Sequence, residues 1–187
     1  MSNEEGLDFF SGIFVFNPLD DELHLERIKN NITSICEAAN TTKRAVKIVV
    51  ALNMSKIEAN NKVMNGVGKK TIELILNLKN RFNFSTLEYH GINACAHGYD
   101  FLLRYGHQKT DAKYISIFAD DYIMPNFWYD IISLNFKHIK DANFMMPATC
   151  FVSQNNLKYD IEYMPEWDVR VADKGDHKRL NTKTIYG

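Results

Sequence analysis

Two adjacent carboxylates, Asp120 and Asp121, follow an apolar run at residues 115–119 and are the groups in this chain best suited to chemistry. A buried strand rarely ends in two acids unless they cap a helix, face solvent or meet a cation. Because open α/β sheets bind ligands at the carboxyl ends of their strands, this position suits a metal ion or another ligand. A solvated loop or a helix start before Pro125 is the alternative, and spacing alone does not decide between them.

The composition of the chain limits the classes of protein it can be. Its 187 residues are 45% hydrophobic and 12% aromatic, which is enough for the core of a single domain, residues 1–187. A net charge of -1 argues against a general attraction to nucleic acid or to anionic membranes. The start of the chain lacks a signal-peptide pattern and no transmembrane segment is evident, so we expect a cytoplasmic protein.

The three cysteines, Cys36, Cys95 and Cys150, lie far apart without a C-x-x-C pair. This spacing favours a reducing compartment and argues against a structural zinc site, so we expect small, buried thiols. The sequence Cys95-Ala96-His97 could suggest a metal pair or a nucleophile with its base. Side chains two apart on a helix do not converge on one ligand, and a core-facing helix is the better interpretation.

Apolar segments with strand and helix periodicity alternate along the chain. This alternation predicts an α/β fold with a mostly parallel sheet and helices on both faces. The predicted strands are residues 12–16, 45–52, 85–89, 115–119 and 143–146. The first predicted helix runs from the acidic caps at 20–22 to Ala39, and the second carries Ile72, Ile75, Leu76 and Phe82. The third runs from Ala94 to Tyr105, with Gly106 marking its end, and the fourth covers 128–139. After Ser153 the periodicity fades, so we expect a loop-rich segment, and a chain ending in this way suggests a truncated protein.

The segment Gly66–Thr71 contains glycines and lysines in an order similar to a phosphate-binding loop. The required G-x-x-x-x-G-K-[ST] spacing fails, because Val63 stands where the first glycine belongs and Lys70 follows Lys69 directly. We therefore expect no nucleotide phosphate loop here.

The strand ends together resemble a known family. A first strand ending in Phe16-Asn17-Pro18, a second ending at Asn53, and Asp120-Asp121 after a later strand look like the nucleotide-sugar half of a GT-A glycosyltransferase, most of all glycosyltransferase family 2. The resemblance covers about residues 11–150 and implies a Rossmann-like nucleotide-diphospho-sugar transferase fold. Residues 151–187 would then form an acceptor-side segment.

The resemblance also implies a reaction, a cofactor and partners. The protein would be a hexosyltransferase of polysaccharide biosynthesis, moving a sugar from a nucleoside-diphosphate sugar donor to a hydroxyl of a glycan or another acceptor. Magnesium or manganese would be held by Asp121 and Asp120, with Asp120 alternatively on the ribose or a metal-bound water. Asn53, in place of the family's acid, would contact the base. The implied donor site comprises Phe16, Asn17, Pro18, Asn53, Asp120 and Asp121. An acceptor in the membrane would bring the protein to the membrane surface.

An inverting transfer also needs a carboxylate that takes the proton of the acceptor hydroxyl. The candidates are Asp160, Glu162, Glu166 and Asp168, and the sequence does not choose among them. Tyr163 and Trp167 could stack on a sugar face.

Two other functions fit the sequence. Ala119 stands where the family often has a third acid, so the acidic motif is incomplete. A non-catalytic GT-A-like domain that binds a partner or glycan is therefore an alternative. A sugar nucleotidyltransferase is less favoured, because residues 17–21 are acidic and lack the glycines that cradle a triphosphate.

Overall fold

Four apolar segments of the chain form one parallel sheet. A computed structural model describes residues 6–59, 61–64, 66–138, 145–147 and 169–171. The chain divides into two units, residues 1–130 and 131–187, and the sheet lies in the first. The strands are β1 (Phe9–Val15), β2 (Val46–Asn53), β3 (Ile57–Ala59), β4 (Lys62–Met64), β5 (Ser85–Tyr89), β6 (Tyr114–Ala119), β7 (Met145–Pro147) and β8 (Val169–Val171). The helices are α1 (Glu22–Thr41), α2 (Lys69–Lys79), α3 (Cys95–Lys109) and α4 (Trp128–His138).

The sheet has the strand order β5-β2-β1-β6, and every neighbouring pair is parallel. The chain builds outward from β1 through β2 to β5, then returns to place β6 on the free side of β1. This confirms the predicted α/β fold with a mostly parallel sheet, which is Rossmann-like. Two short antiparallel pairs, β3 with β4 and β7 with β8, lie outside it.

Alternate side chains of β1 enter the two faces of the sheet, as the period of a strand requires. On one face, Phe10 and Phe14 belong to a buried cluster with Leu102 of α3. On the other, the ring of Phe9 lies 5.1 Å from that of Tyr129, between ring centroids. Strand β1 is buried along its whole length, which fits its largely apolar sequence, and the hydroxyl of its one polar residue, Ser11, is hydrogen-bonded to that of Tyr129 at 2.9 Å.

Helix α3 does not end at Gly106, as the sequence predicted, but continues to Lys109. Gly106 is buried, and a Cβ atom there would lie 2.7 Å from the ring of Phe10. The glycine is therefore needed for close packing of the helix on the sheet rather than for a left-handed cap.

Several local predictions were wrong. Helix α2 ends at Lys79, so Phe82, which was predicted to lie on it, falls in the bend that follows. Cys95 and His97 are exposed at the start of α3 rather than facing the core. The polar interval before α2 contains the β3–β4 pair, and β8 lies in the segment where no strand was predicted. Cys36 is buried as expected, and Cys150 lies outside the described residues.

None of the described helices combines the length and the apolar character needed to cross a membrane.

The acidic loop after β1 caps two helices. Asp21 is the N-cap of α1 and accepts a hydrogen bond from the backbone N–H of His24. Asp20 instead reaches α2, accepting from the N–H groups of Lys70 and Thr71, both at 2.9 Å, and from the Thr71 hydroxyl at 2.8 Å. Burial raises the pKa of Asp20, but these hydrogen bonds lower it further than burial raises it, to a value below the ordinary one.

We expect Asp20→Ala to lower the free energy of unfolding at pH 7 by about 1–2 kcal/mol, since α2 loses its cap. Asp20→Asn should cost less, because asparagine keeps an acceptor and tolerates the positive φ of 51° at this position. The depressed pKa means that the carboxylate's contribution is present above the ordinary aspartate pKa and is lost as pH falls through the lowered value. Urea denaturation of both variants at neutral and acidic pH checks this, with the exposed Glu26→Ala as control. Equal stability of Asp20→Ala and the wild type at neutral pH would contradict the capping role.

Candidate functional site

The acidic pair lies where the strand order of the sheet reverses. Strands β1 and β6 are parallel neighbours, with Phe14 opposite Ala119 in register. Their carboxyl ends therefore open on the same edge. The chain places β2 and β5 on one side of β1 and then crosses back to place β6 on the other side. Such a topological switch point forms the crevice in which open α/β sheets bind ligands.

Asp120 joins the ends of these two strands. Its Oδ2 accepts a hydrogen bond of 2.9 Å from the backbone N–H of Phe16, the first residue after β1. The same oxygen lies 3.1 Å from Nε2 of His24, in the first turn of α1. Asp120 is only 9% exposed, so its carboxylate is fixed by the protein on one side.

Two titratable groups respond to this charge. The hydrogen bond to Asp120 raises the pKa of His24, and the charges of Asp120 and Asp121 add to the rise, while partial burial and Arg27 oppose it. Burial raises the pKa of Tyr99 on α3, and the charges of Cys95, Asp120 and Asp121 raise it further. The imidazole and the phenol therefore both lie within electrostatic reach of the acidic pair.

Asp121 differs from its neighbour in being exposed. Within the part of the chain that the structure describes, its carboxylate takes part in no hydrogen bond or ion pair. The Oδ1 atom of Asp120 likewise accepts no hydrogen bond from those residues, since both bonds fall on Oδ2. One anchored and one solvent-facing carboxylate thus stand side by side at the crevice.

The backbone of this turn is held by α1. The side-chain amide of Asn31 donates a hydrogen bond of 3.1 Å to the carbonyl of Ala119 and a second to the carbonyl of Tyr122. The hydroxyl of Ser34 accepts from the backbone N–H of Met124 at 3.0 Å. We refer to residues 119–124 as the acidic turn.

The other predicted donor-site residues use their polar groups inside the protein. The Asn17 side chain accepts from the N–H of Asp21 at 3.1 Å and is 4% exposed, and Pro18 beside it is half-buried. Asn53 is 2% exposed, and its amide donates to Asn93 Oδ1 and accepts from the N–H of Ser55. Of the predicted set, Phe16 and Asp120 are the two that a hydrogen bond joins directly.

A phosphate has little opportunity to bind at the start of α2. Gly68 is the N-cap of that helix, and Asp20 already accepts hydrogen bonds from the N–H groups of Lys70 and Thr71. A carboxylate of the chain therefore occupies the position that an anion would take at this helix N-terminus.

The predicted base candidates Asp160, Glu162, Glu166 and Asp168, with Tyr163 and Trp167, lie outside the described residues. Among residues that are described, no group of three or more His, Cys, Asp or Glu side chains is placed to hold a metal ion.

His24, Asn31 and Tyr99 were not predicted to belong to the site. Asn31 could have been noticed in the sequence, because it is a polar residue beside Ile28, Ile32 and Ile35 on the apolar face of a predicted helix. No sequence pattern indicates His24 or Tyr99, since their relation to Asp120 arises only from the fold.

Comparison with protein-family models, with curated proteins and with solved structures gave no match. The fold defines an α/β protein with a Rossmann-like parallel sheet, and the acidic turn lies at its topological switch point.

Proposed function

We propose that this protein is a GT-A type glycosyltransferase that moves a sugar from a nucleoside-diphosphate sugar to an acceptor hydroxyl, with a divalent cation beside Asp120 and Asp121. The observation that carries the proposal is the position of this pair in the crevice between the carboxyl ends of β1 and β6. Sheets of this kind bind nucleotides at that point.

The residues of the acidic turn fit a hard cation. Carboxylate oxygens are the preferred ligands of magnesium and manganese. Asp121 is exposed, and Oδ1 of Asp120 is not engaged by a described residue, so each could offer an oxygen. Magnesium is commonly held by one or two protein carboxylates together with substrate phosphates, a ligand set that two adjacent aspartates match.

The proposed transfer breaks the bond between the anomeric carbon and the diphosphate and forms one to the acceptor oxygen. A bound divalent cation would neutralise the charge that develops on the diphosphate. Asp121 and Asp120 would hold the cation, and Phe16 and His24 would keep Asp120 oriented. A carboxylate must take the acceptor proton if the transfer inverts, and Asp160, Glu162, Glu166 and Asp168 are the candidates for that role.

Nucleotide binding should depend on the cation, because two carboxylates at the crevice repel a diphosphate when no metal lies between them. We expect UDP or GDP, or one of their hexose derivatives, to bind at least about tenfold more tightly with manganese than with a chelator. Isothermal titration with each ligand, with and without manganese, measures this difference. A folded sample that binds none of these ligands in either condition would contradict the proposal.

A second candidate is a non-catalytic domain of the same fold. The observation that favours it is the engagement of Asp120 by Phe16 and His24, which leaves this carboxylate only 9% exposed. Hydrolysis of the donor sugar, followed with and without metal in the wild type and in Asp121→Ala, separates the two. Equal background rates in all samples, together with ligand binding, would favour the binding domain.

A sugar nucleotidyltransferase is less well supported. The loop after β1 supplies Asp20 and Asp21 as helix caps, so it offers carboxylates where a triphosphate would need N–H donors.

A further inference from the structure

Helix α1 contacts the acidic turn through three polar side chains. His24 hydrogen-bonds the carboxylate of Asp120, Asn31 hydrogen-bonds the backbone on both sides of the acidic pair, and Ser34 accepts from Met124. His24 and Asn31 are seven residues apart, which is close to two helical turns and places them on one side of α1.

Asn31 occupies a core position. It is 0% exposed and lies beside the buried residues Ile28, Ile32 and Ile35. Its two N–H groups match the two carbonyls that they meet, those of Ala119 and Tyr122. Its Oδ1 atom, however, is buried with no hydrogen-bond partner among the described residues, which costs free energy relative to an apolar side chain. The two hydrogen bonds that hold the acidic turn therefore explain an asparagine at this core position better than a gain in stability does.

His24 acts on the side chain rather than the backbone. Its Nε2 shares Oδ2 of Asp120 with the N–H of Phe16, so two donors fix one carboxylate oxygen. A carboxylate held at Oδ2 has its rotation restricted, and Oδ1 then keeps one direction. Partners of this kind orient metal ligands in many proteins.

We propose that His24 and Asn31 are positioning residues for the acidic pair: His24 sets the direction of the Asp120 carboxylate, and Asn31 sets the backbone of the turn that carries Asp120 and Asp121. The orienting contacts stand on the geometry of the described residues, while their consequence for cation and nucleotide rests on the proposed function.

The test compares His24→Leu, which removes the donor to Asp120, with His24→Gln, which keeps an N–H group at similar reach. Backbone amide exchange in the metal-free protein reports the Phe16 N–H bond to the same oxygen. We expect this amide to exchange at least about tenfold faster in His24→Leu, with most of its protection kept in His24→Gln. Equal protection of the Phe16 amide in His24→Leu and the wild type would overturn the positioning role of His24, whatever the protein binds.

The second readout is the affinity for manganese with UDP or GDP. We expect a loss of about 10- to 100-fold in His24→Leu and rescue to within about threefold in His24→Gln. If the wild type binds no nucleotide with manganese but amide protection changes as expected, the proposed function fails and the positioning role stands. If the wild type binds and His24→Leu binds equally well, the proposed effect on the cation site is overturned.

Asn31→Asp replaces both donors with an acceptor that faces two carbonyls, and Asn30→Asp on the same helix is the matched control. We expect the amides of the acidic turn to lose protection in Asn31→Asp alone, with a further loss of at least about tenfold in nucleotide affinity. Should Asn31→Asp fail to fold, Asn31→Ser removes the long donor without adding a charge and is read in the same way. Unchanged protection and affinity in a folded variant would overturn the role of Asn31.

Discussion

Asp121→Asn should lower sugar transfer by about 100-fold or more and change the free energy of unfolding by less than about 0.5 kcal/mol. Activity should fall because the amide keeps the size of the side chain but removes the charge that would hold the proposed cation. Stability is preserved because Asp121 is exposed and forms no hydrogen bond or ion pair with any described residue. Initial rates with a nucleoside-diphosphate sugar and manganese, together with urea denaturation, measure both quantities.

Asp111→Asn is a matched control for this variant. Asp111 is also exposed, and it precedes β6, whereas Asp121 follows that strand. The two aspartates therefore lie at opposite edges of the sheet, and the same chemical change should leave transfer unaffected at Asp111. A loss of activity in both variants would contradict a cation site at the carboxyl edge, and so would unchanged activity in both.

Gly98→Ala is expected to lower the free energy of unfolding by about 2 kcal/mol or more, although alanine is the better helix former. Gly98 is buried in α3, and a Cβ atom there would lie 2.3 Å from the ring of Phe14. Phe14 is 4% exposed and packs against Tyr89 and Tyr99, so its ring cannot move away without disturbing them. Thermal or urea unfolding of the purified variant measures the loss.

A double mutant separates this clash from a general effect on the helix. Phe14→Leu removes ring atoms that the new methyl group would meet, so Gly98→Ala should cost at least about 1 kcal/mol less in that background. Gln108→Ala, at an exposed position of α3, should be nearly neutral or slightly stabilising. Additive costs of Gly98→Ala and Phe14→Leu would show that the methyl group does not meet the ring.

The architecture could be predicted from the sequence because it depends on local periodicity. The apolar runs around Val15, Val50 and Ile117 gave the three long strands of the sheet to within a few residues, and alternation with helices implied parallel pairing. The position of Asp120-Asp121 beyond a strand also followed from this pattern.

Close packing and distant polar contacts could not be predicted in the same way. Gly106 looks like a helix end in sequence, and only the ring of Phe10 against it explains why the helix continues. His24 is 96 residues from Asp120, and Asn31 is 88 residues from Ala119, so no local pattern relates them. Asp20 was predicted to cap α1, yet it caps α2, because the chain returns to it about fifty residues later.

In the proposed function, a divalent cation and a nucleoside diphosphate bind together at the acidic turn. Manganese broadens the NMR signals of nearby amides, so titration of the labelled protein with manganese and UDP or GDP locates the ion. We expect selective broadening at Phe16, Asp121 and Tyr122, enhanced by the nucleotide and lost in Asp121→Asn. Broadening confined to the opposite edge, at Leu7 and Asp111, or no selective broadening in the presence of nucleotide, would contradict it.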